Sequence, residues 1–465
     1  MIVARLTIDR IAAAVGGRVS GAGPGTTFTG VSTDSRTIKP GELFVALTGE
    51  KFDGHVFCPA AREAGAAGAM VQTGASDLAA WPDGFVRLEV ADTLRALGDL
   101  ARLARSEFTG PVAAVTGSNG KTTTKEMLAT ILAVRQNVLR TEGNLNNLIG
   151  LPLTLLRLTD AHQAAVVEMG MDRPGEIARL TEIAGPTLGL ITNVGPAHLG
   201  RLGSVEAVAA AKGELFAGLS PIATAVVNAD DPLVTAQAER FGGDKVTFGF
   251  SAAADVRIEA LTTSPAGSTF VLVHGPDSRT VRLALVGGHN AMNALAAAAA
   301  ALVLGASLDD IAAALADFSP VPGRQTFVRL AGGATLIDDT YNANPASMAA
   351  ALRTLAAVRG EGRGLCALGD MLDLGPESVE AHRRIGRLIG ALDLGPLFLV
   401  GRFAEEVAAG AREAGLNHTG LRLFDGHDRL AADLEREIRP TDTVLVKGSR
   451  GSAMDRVVAA LAGKR

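Results

Sequence analysis

Pro111–Thr123 (PVAAVTGSNGKTT) decides the reading of the central part of this chain. The apolar run Pro111–Thr116, with its two valines, reads as a short buried strand. A Gly-rich turn follows, then a helical pattern over Lys121–Val134. Strand, Gly-rich turn and helix in that order predict a phosphate loop, because successive backbone N–H groups and a helix N-terminus form a nest for anions. The strict spacing G-x-x-x-x-G-K-[ST] fails at Val115, and the shorter G-x-x-G-K-[ST] is present from Gly117 to Thr122. Thr116, Gly117, Ser118, Asn119, Gly120, Lys121, Thr122 and Thr123 are the expected ATP contacts. Lys121 reaches the β/γ-phosphates as a point charge. The Thr122 hydroxyl suits Mg²⁺, a hard cation that prefers oxygen. Kinases, GTPases, motors and ligases all use such a loop, so the reaction must come from the rest of the site.

Strand-like runs recur at Ala164–Val167, Leu188–Thr192 and Ala223–Val227, with helical stretches between them. That rhythm predicts a parallel sheet covered on both faces. From Asp255 to Val286 strand-like runs alternate with turns at Pro265-Ala-Gly and Gly275-Pro-Asp, the pattern of an antiparallel edge. Helices near Ala291–Leu304 and Leu308–Ala316 close this block. Before it, Gly41–Leu47 and Phe85–Val90 read as strands, and Val56–Ala64 and Thr93–Ser106 as helices, up to the break at Gly110-Pro111. After it comes a Pro/Gly linker, Ser319–Gln325 (SPVPGRQ), and a third block with strands at Thr335–Asp338, Gly364–Leu368, Pro396–Val400 and Thr443–Val446. The expectation is an α/β protein of three domains: a small α/β domain over 1–109, a phosphate-loop domain with mainly parallel sheet over 110–319, and a Rossmann-like domain over 320–465.

Composition narrows the function. Of the 465 residues, 47% are hydrophobic and 20% charged, enough apolar surface for several cores. Aromatics are only 4% and the net charge is -5, which together argue against a nucleic-acid binder. Cys58 and Cys366 lack metal-ligand spacing and suit two small buried hydrophobes in a reducing cytosol. The N-terminus has no long apolar core of a signal peptide, and the Ala-rich run Ala294–Ala306 is too short to cross a bilayer.

Several further stretches fall in a fixed order around the loop: Thr141–Gly150 (TEGNLNNLIG), Glu168-Met-Gly170, Asn193–Gly200 (NVGPAHLG), Ala211–Phe216 (AKGELF), Asn228–Asp231 (NADD), Gly288–Asn293 (GHNAMN), Pro322-Gly-Arg324, Asp338–Pro345 (DDTYNANP) and Lys447-Gly-Ser-Arg450. In this order the chain resembles the Mur ligases over essentially its whole length. GNLNN-x-IG-x-P, DD-x-YNANP and Leu368–Gly375 (LGDMLDLG) resemble the branch that adds D-alanyl-D-alanine. Ser32–Arg36 (STDSR), Pro40–Leu47 and Gly54-His55 resemble that family's UDP-binding domain.

The resemblance implies a reaction. ATP phosphorylates the carboxylate of UDP-N-acetylmuramoyl-tripeptide, the amine of D-alanyl-D-alanine attacks the acyl phosphate, and phosphate leaves. Charge stabilisation and positioning are then the protein's task. A cytoplasmic monomer using ATP and Mg²⁺ is expected, with no nucleic-acid partner and no membrane insertion. On spacing alone Glu168 is equally a metal ligand or a helix cap or ion-pair partner, and Lys212 reads as a solvated helix lysine; the resemblance assigns both to the metal site, with Lys212 carbamylated by CO₂. It makes His198 a second-metal ligand and a catalytic residue alongside Lys121, Lys212, Asn144 and Arg324. Arg324 is expected to reach the γ-phosphate from across the domain gap. Asn290, with His289 beside it, lies near the adenine, or else caps a helix; Asp339 meets the ribose. Substrate contacts are expected from Asn146 and Asn147, from Tyr341, Asn342 and Asn344, and from Lys447, Ser449 and Arg450 as a carboxylate-binding loop. For Asn146 a turn-forming role is the competing reading. Ser35 and Arg36 hold the UDP part, unless Arg36 is only a surface ion pair.

Two rivals remain at this level. One is a different ligase of the same superfamily, either a diamino-acid ligase or a folate polyglutamate synthetase. The Asp-Asn-Pro motif of the diamino-acid ligases is absent from the third block. A folate enzyme would lack the first block. The other is a phosphate-loop switch that ligates nothing, which would need neither Lys212, His198 nor the third block.

Overall fold

The computed structural model describes all residues except 1, 24, 50–51, 76–83, 197–198, 417–419 and 464–465. Its described residues form three sheets, one in each block that the glycine and proline breaks mark out. The central sheet has nine strands. In spatial order they are Asp277–Leu283, Gly267–His274, Val256–Ser264, Asp244–Gly249, Thr224–Asn228, Leu188–Ile191, Val112–Thr116, Ala164–Glu168 and Val138–Arg140. From Val256–Ser264 to Val138–Arg140 neighbours pair in parallel; the two pairings at the other end are antiparallel. The alternating stretch is therefore the edge its pattern predicts. Strands Asp244–Gly249 and Val138–Arg140, absent from the sequence reading, extend the parallel part.

Val112–Thr116 lies inside this sheet, and all five residues are buried. The helix after it, Lys121–Ala133, packs on Gly288–Val303, whose run Ala294–Ala301 is fully buried. Alanine lets the two helices approach closely without losing buried apolar area. No helix among the described residues is long and apolar enough to cross a membrane.

The first sheet has five strands, with Arg18–Ser20 antiparallel at one edge and the others parallel. The third has six, ordered Thr326–Arg329, Thr335–Asp339, Thr443–Lys447, Gly364–Leu368, Leu397–Val400 and Leu421–Phe424. All its pairings are parallel except the first. The last long strand of the chain thus inserts between two earlier ones, bringing Lys447 into register with Asp339. Cys58 and Cys366 are free and buried, as their spacing suggests.

Candidate active site

The phosphate loop depends on two glycines. Gly117 has φ 150°, and a Cβ there would fall 1.9 Å from Thr192 Oγ1, the hydroxyl that donates to Asn119 O. Gly120 has φ 82°, and its Cβ would fall 2.1 Å from Asn293 Oδ1. Only glycine meets both the conformation and the space. Not every loop amide is aimed at a phosphate. Ser118 N–H donates to Asn193 O and Asn119 N–H to Asn193 Oδ1. The nest is therefore narrower than the motif implies and centres on the first turn of the helix, whose N–H groups have no intrahelical acceptor. Lys121 Nζ donates to Gly117 O at 2.7 Å, so the ammonium curls over the loop. Burial pushes its pKa down, Glu168 nearby opposes this, and Arg324 adds to it.

Glu168 ends the strand Ala164–Glu168 and is buried. Its Oε2 accepts from the Thr122 hydroxyl at 2.8 Å, and its Oε1 from Asn146 Nδ2 at 2.7 Å. Asn146 fits there because residue 170 is glycine; a Cβ on it would lie 2.9 Å from the Asn146 amide. The turn-forming role weighed for Asn146 belongs instead to Asn147, whose Oδ1 accepts from the N–H groups of Ile149 and Gly150 in the turn that leads into the helix Gly150–Leu155. Asn144 stays exposed on the same loop.

Thr122 Oγ1 and the Glu168 carboxylate are adjacent oxygen donors, the set that Mg²⁺ takes with phosphate oxygens and water. Lys212 does not fit that set as an amine. It is buried in the helix Val205–Ala217 and makes no ion pair or hydrogen bond among the described residues. Burial, and then the charge of Lys121, hold its pKa well below the usual lysine range. A neutral buried amine is the form that reacts with CO₂. His198 lies outside the described residues.

The third block supplies the opposite wall. Arg324 Nη2 donates to the Thr122 hydroxyl at 2.8 Å, and its guanidinium lies 4.0 Å from the Tyr341 ring centre. Asn344 Nδ2 donates to Asn119 Oδ1 at 2.7 Å, while its own Oδ1 caps the helix Pro345–Val358. Asn344 is thus a helix cap and a domain link together. The exposed Asn342 contributes its carbonyl, which accepts from Lys447 Nζ. Between the blocks opens a cavity of about 360 Å³, lined by Pro196, Leu199 and Val205 on one side and Pro345, Glu377 and Arg384 on the other.

The carboxylate-binding loop expected at Lys447–Arg450 needs correction. Lys447 is buried and ion-paired with Asp339 at 2.7 Å. The Ser449 hydroxyl donates to Ala343 O and accepts from Leu372 N–H. Both side chains hold the loops together, and of the three only Arg450 is exposed, 5.9 Å from the Tyr341 ring centre. Asp339 keeps its place at the strand end with one oxygen committed to Lys447. Beside it, His289 Nε2 lies 3.0 Å from Gln325 Oε1, and Asn290 Nδ2 donates to the same oxygen and to Val286 O. Burial pushes the His289 pKa down, with Asp339 and Gln325 opposing it.

Ser35 and Arg36 sit in a turn of the first block. Arg36 is exposed and doubly hydrogen-bonded to Asp34, and no hydrogen bond or ion pair among the described residues ties either one to the phosphate-loop group. Asn193, Thr192, Thr141, Asn293 and Gln325 escaped the sequence reading. Asn193 opens the quoted NVGPAHLG stretch directly after a strand, and Thr141 opens TEGNLNNLIG, so position next to a strand end was the available signal. Gln325, a buried non-glycine at φ 54°, offers no such signal.

Almost the whole chain matches known proteins. Residues 115–301 match the Mur ligase middle domain, 323–450 the Mur ligase glutamate ligase domain, and 27–105 the Mur ligase family catalytic domain. The UDP-N-acetylmuramoyl-tripeptide--D-alanyl-D-alanine ligase of Escherichia coli is 40% identical over 462 residues, covering 98% of each chain. A crystal structure of MurF from Acinetobacter baumannii superposes with TM-score 0.89 at 35% identity, covering 98% of this chain and 99% of that one. The MurF ligase of Thermotoga maritima in complex with ADP gives TM-score 0.81 at 29% identity, covering 93% and 97%.

Proposed function

This chain belongs to the Mur ligase family, and on that premise we propose that it joins D-alanyl-D-alanine to UDP-N-acetylmuramoyl-tripeptide at the expense of ATP, a step of peptidoglycan precursor synthesis. The γ-phosphoryl group passes from ATP to the peptide carboxylate and ADP departs. The dipeptide amine attacks the acyl carbon and loses a proton, and the C–O bond to phosphate breaks. Product, ADP and inorganic phosphate result. No protein nucleophile takes part.

Lys121 and the first turn of its helix hold the β/γ-phosphates, and Arg324 holds the transferring group from the opposite domain. Thr122 and Glu168 are the Mg²⁺ ligands, with His198 and carbamylated Lys212 completing the metal region. Mg²⁺, when bound, neutralises charge on the phosphates. Asn146 and Asn144 face the acceptor carboxylate, with Asn147 shaping their loop. Asn290 and Asp339 flank the nucleoside. Ser35 and Arg36 hold the UDP part. The dipeptide enters the cavity between the blocks, and Tyr341, Asn342 and Arg450 contact it on the side of the third block. The enzyme acts in the cytoplasm as a monomer.

The observation that carries this reading is the double link from the third block to the loop: Arg324 on Thr122, and Asn344 on Asn119. A nucleotide switch has no use for a third domain seated on its phosphate loop. A ligase needs one to bring the amine to the acyl phosphate. The test is phosphate release with ATP alone, with each co-substrate added, and with both, with product mass measured in parallel. ATP hydrolysis that ignores both co-substrates would reject the ligase.

A further inference from the structure

One fully buried cation has no part in the chemistry above. Lys125 lies one turn beyond Lys121 on the phosphate-loop helix, with no exposed surface. Its Nζ donates to Thr141 O at 2.5 Å and pairs with Glu126 at 2.5 Å. Glu126 also reaches Arg140 at 3.1 Å. The two residues that lead into the Asn144–Asn147 loop are thus both tied to this helix. Thr141 carries the tie onward, because its hydroxyl accepts from Glu168 N–H at 3.0 Å. Glu168 then takes the Thr122 hydroxyl and the Asn146 amide. The circuit closes on the helix where it began.

Stability alone is a weak reason for a buried lysine here. Desolvating an ammonium is costly, so its pair with Glu126 and its bond to Thr141 are weak evidence for net stabilisation. What only the ammonium supplies is a directed bond to the Thr141 carbonyl. We propose that Lys125 is a positioning residue: through Thr141 it sets Glu168 and the acceptor loop at a fixed distance from Lys121 and Thr122. The proposal rests on the reading of that loop as the acceptor side of the site.

The test uses the full chain carrying Lys125→Met. Its thermal midpoint falls, because methionine takes the donor from the Thr141 carbonyl and the cation from Glu126, and amide hydrogen exchange over residues 141–147, measured without ligands, becomes faster. Its kcat falls about 100-fold, the scale expected when a reacting group shifts by about 1 Å. Lys125→Gln keeps an N–H donor without the charge and recovers part of that rate. Combined with Asn146→Ala, Lys125→Met costs much less than the product of the two single losses, since both act through one loop. Unchanged exchange, wild-type kcat despite faster exchange, equal losses in the Met and Gln variants, or fully multiplicative losses would each overturn the proposal. Wild-type kcat in Asn146→Ala alone would instead reject the assignment of the loop to the acceptor, and loop exchange in Lys125→Met would still decide the brace.

Discussion

Lys447→Ala is expected to destabilise the C-terminal domain. Its side chain is 2% exposed and that of its partner Asp339 13%, with 2.7 Å between the charged atoms. The same Nζ satisfies the Asn342 carbonyl at 2.8 Å. Alanine leaves a carboxylate largely removed from water with no counter-ion, a carbonyl without its donor, and a void where the four-carbon stem lay. Removing one partner of a buried pair costs about 3–5 kcal/mol. At about 2–4 °C per kcal/mol for a domain of roughly 150 residues, the midpoint falls by about 6–20 °C. Scanning calorimetry of the full chain would follow the C-terminal transition. The double variant Asp339→Asn, Lys447→Met serves as the control and regains most of the loss, because replacing both ends of a buried pair by neutral groups is close to neutral. The reasoning fails if Lys447→Ala melts within about 2 °C of the wild type while the KM for the dipeptide rises strongly. That result would return Lys447 to the role its sequence position suggested.

Three further outcomes are expected. Lys121→Ala lowers kcat by about 10³-fold or more with an unchanged circular dichroism spectrum, since it removes the charge that meets the transferring phosphoryl group; turnover near wild type would undo the phosphate-loop assignment. Arg36→Ala raises the KM for the UDP-substrate about tenfold and leaves kcat and stability nearly unchanged, because the exposed pair with Asp34 contributes little to folding; a shift in the KM for ATP instead would misplace the first block. Lys212→Ala is inactive and partly rescued by acetate, whereas a bare, dispensable amine would make alanine silent and acetate irrelevant. In CO₂-free buffer, burial and Lys121 hold the Lys212 pKa below its unfolded value. The unfolded chain then binds more protons between the folded pKa and the usual lysine value near 10.5. Stability therefore rises with pH across that window, and Lys212→Met flattens the slope in urea titrations; an identical slope in the variant would mean that the amine is not desolvated.

Sequence alone determined what is local. Thr93–Ser106, Leu308–Ala316 and Gly364–Leu368 end in the structure where their patterns end. Caps at Asp92 and Ser307 mark the starts of the two helices, and a cap acts within three residues of itself. The phosphate loop is legible for the same reason: its glycines, lysine and threonine are contiguous, so their geometry follows from a strand running into a helix. Tertiary structure decided which polar groups meet. Arg324 and Thr122 are 202 positions apart, and their bond depends on how the third block sits on the second. Asn146 and Asn147 are adjacent and chemically identical. Which of them reaches Glu168 and which holds the turn before the next helix depends on the space that Gly170 leaves beside the loop. Lys447 looks free in the sequence, and the one acid close before it, Asp442, pairs with Arg363. The partner that commits it, Asp339, is 108 positions earlier and is brought alongside only because the last strand enters between Thr335–Asp339 and Gly364–Leu368. Strand order is set by the burial of whole faces rather than by neighbouring residues, so a pairing that depends on it has no local signature.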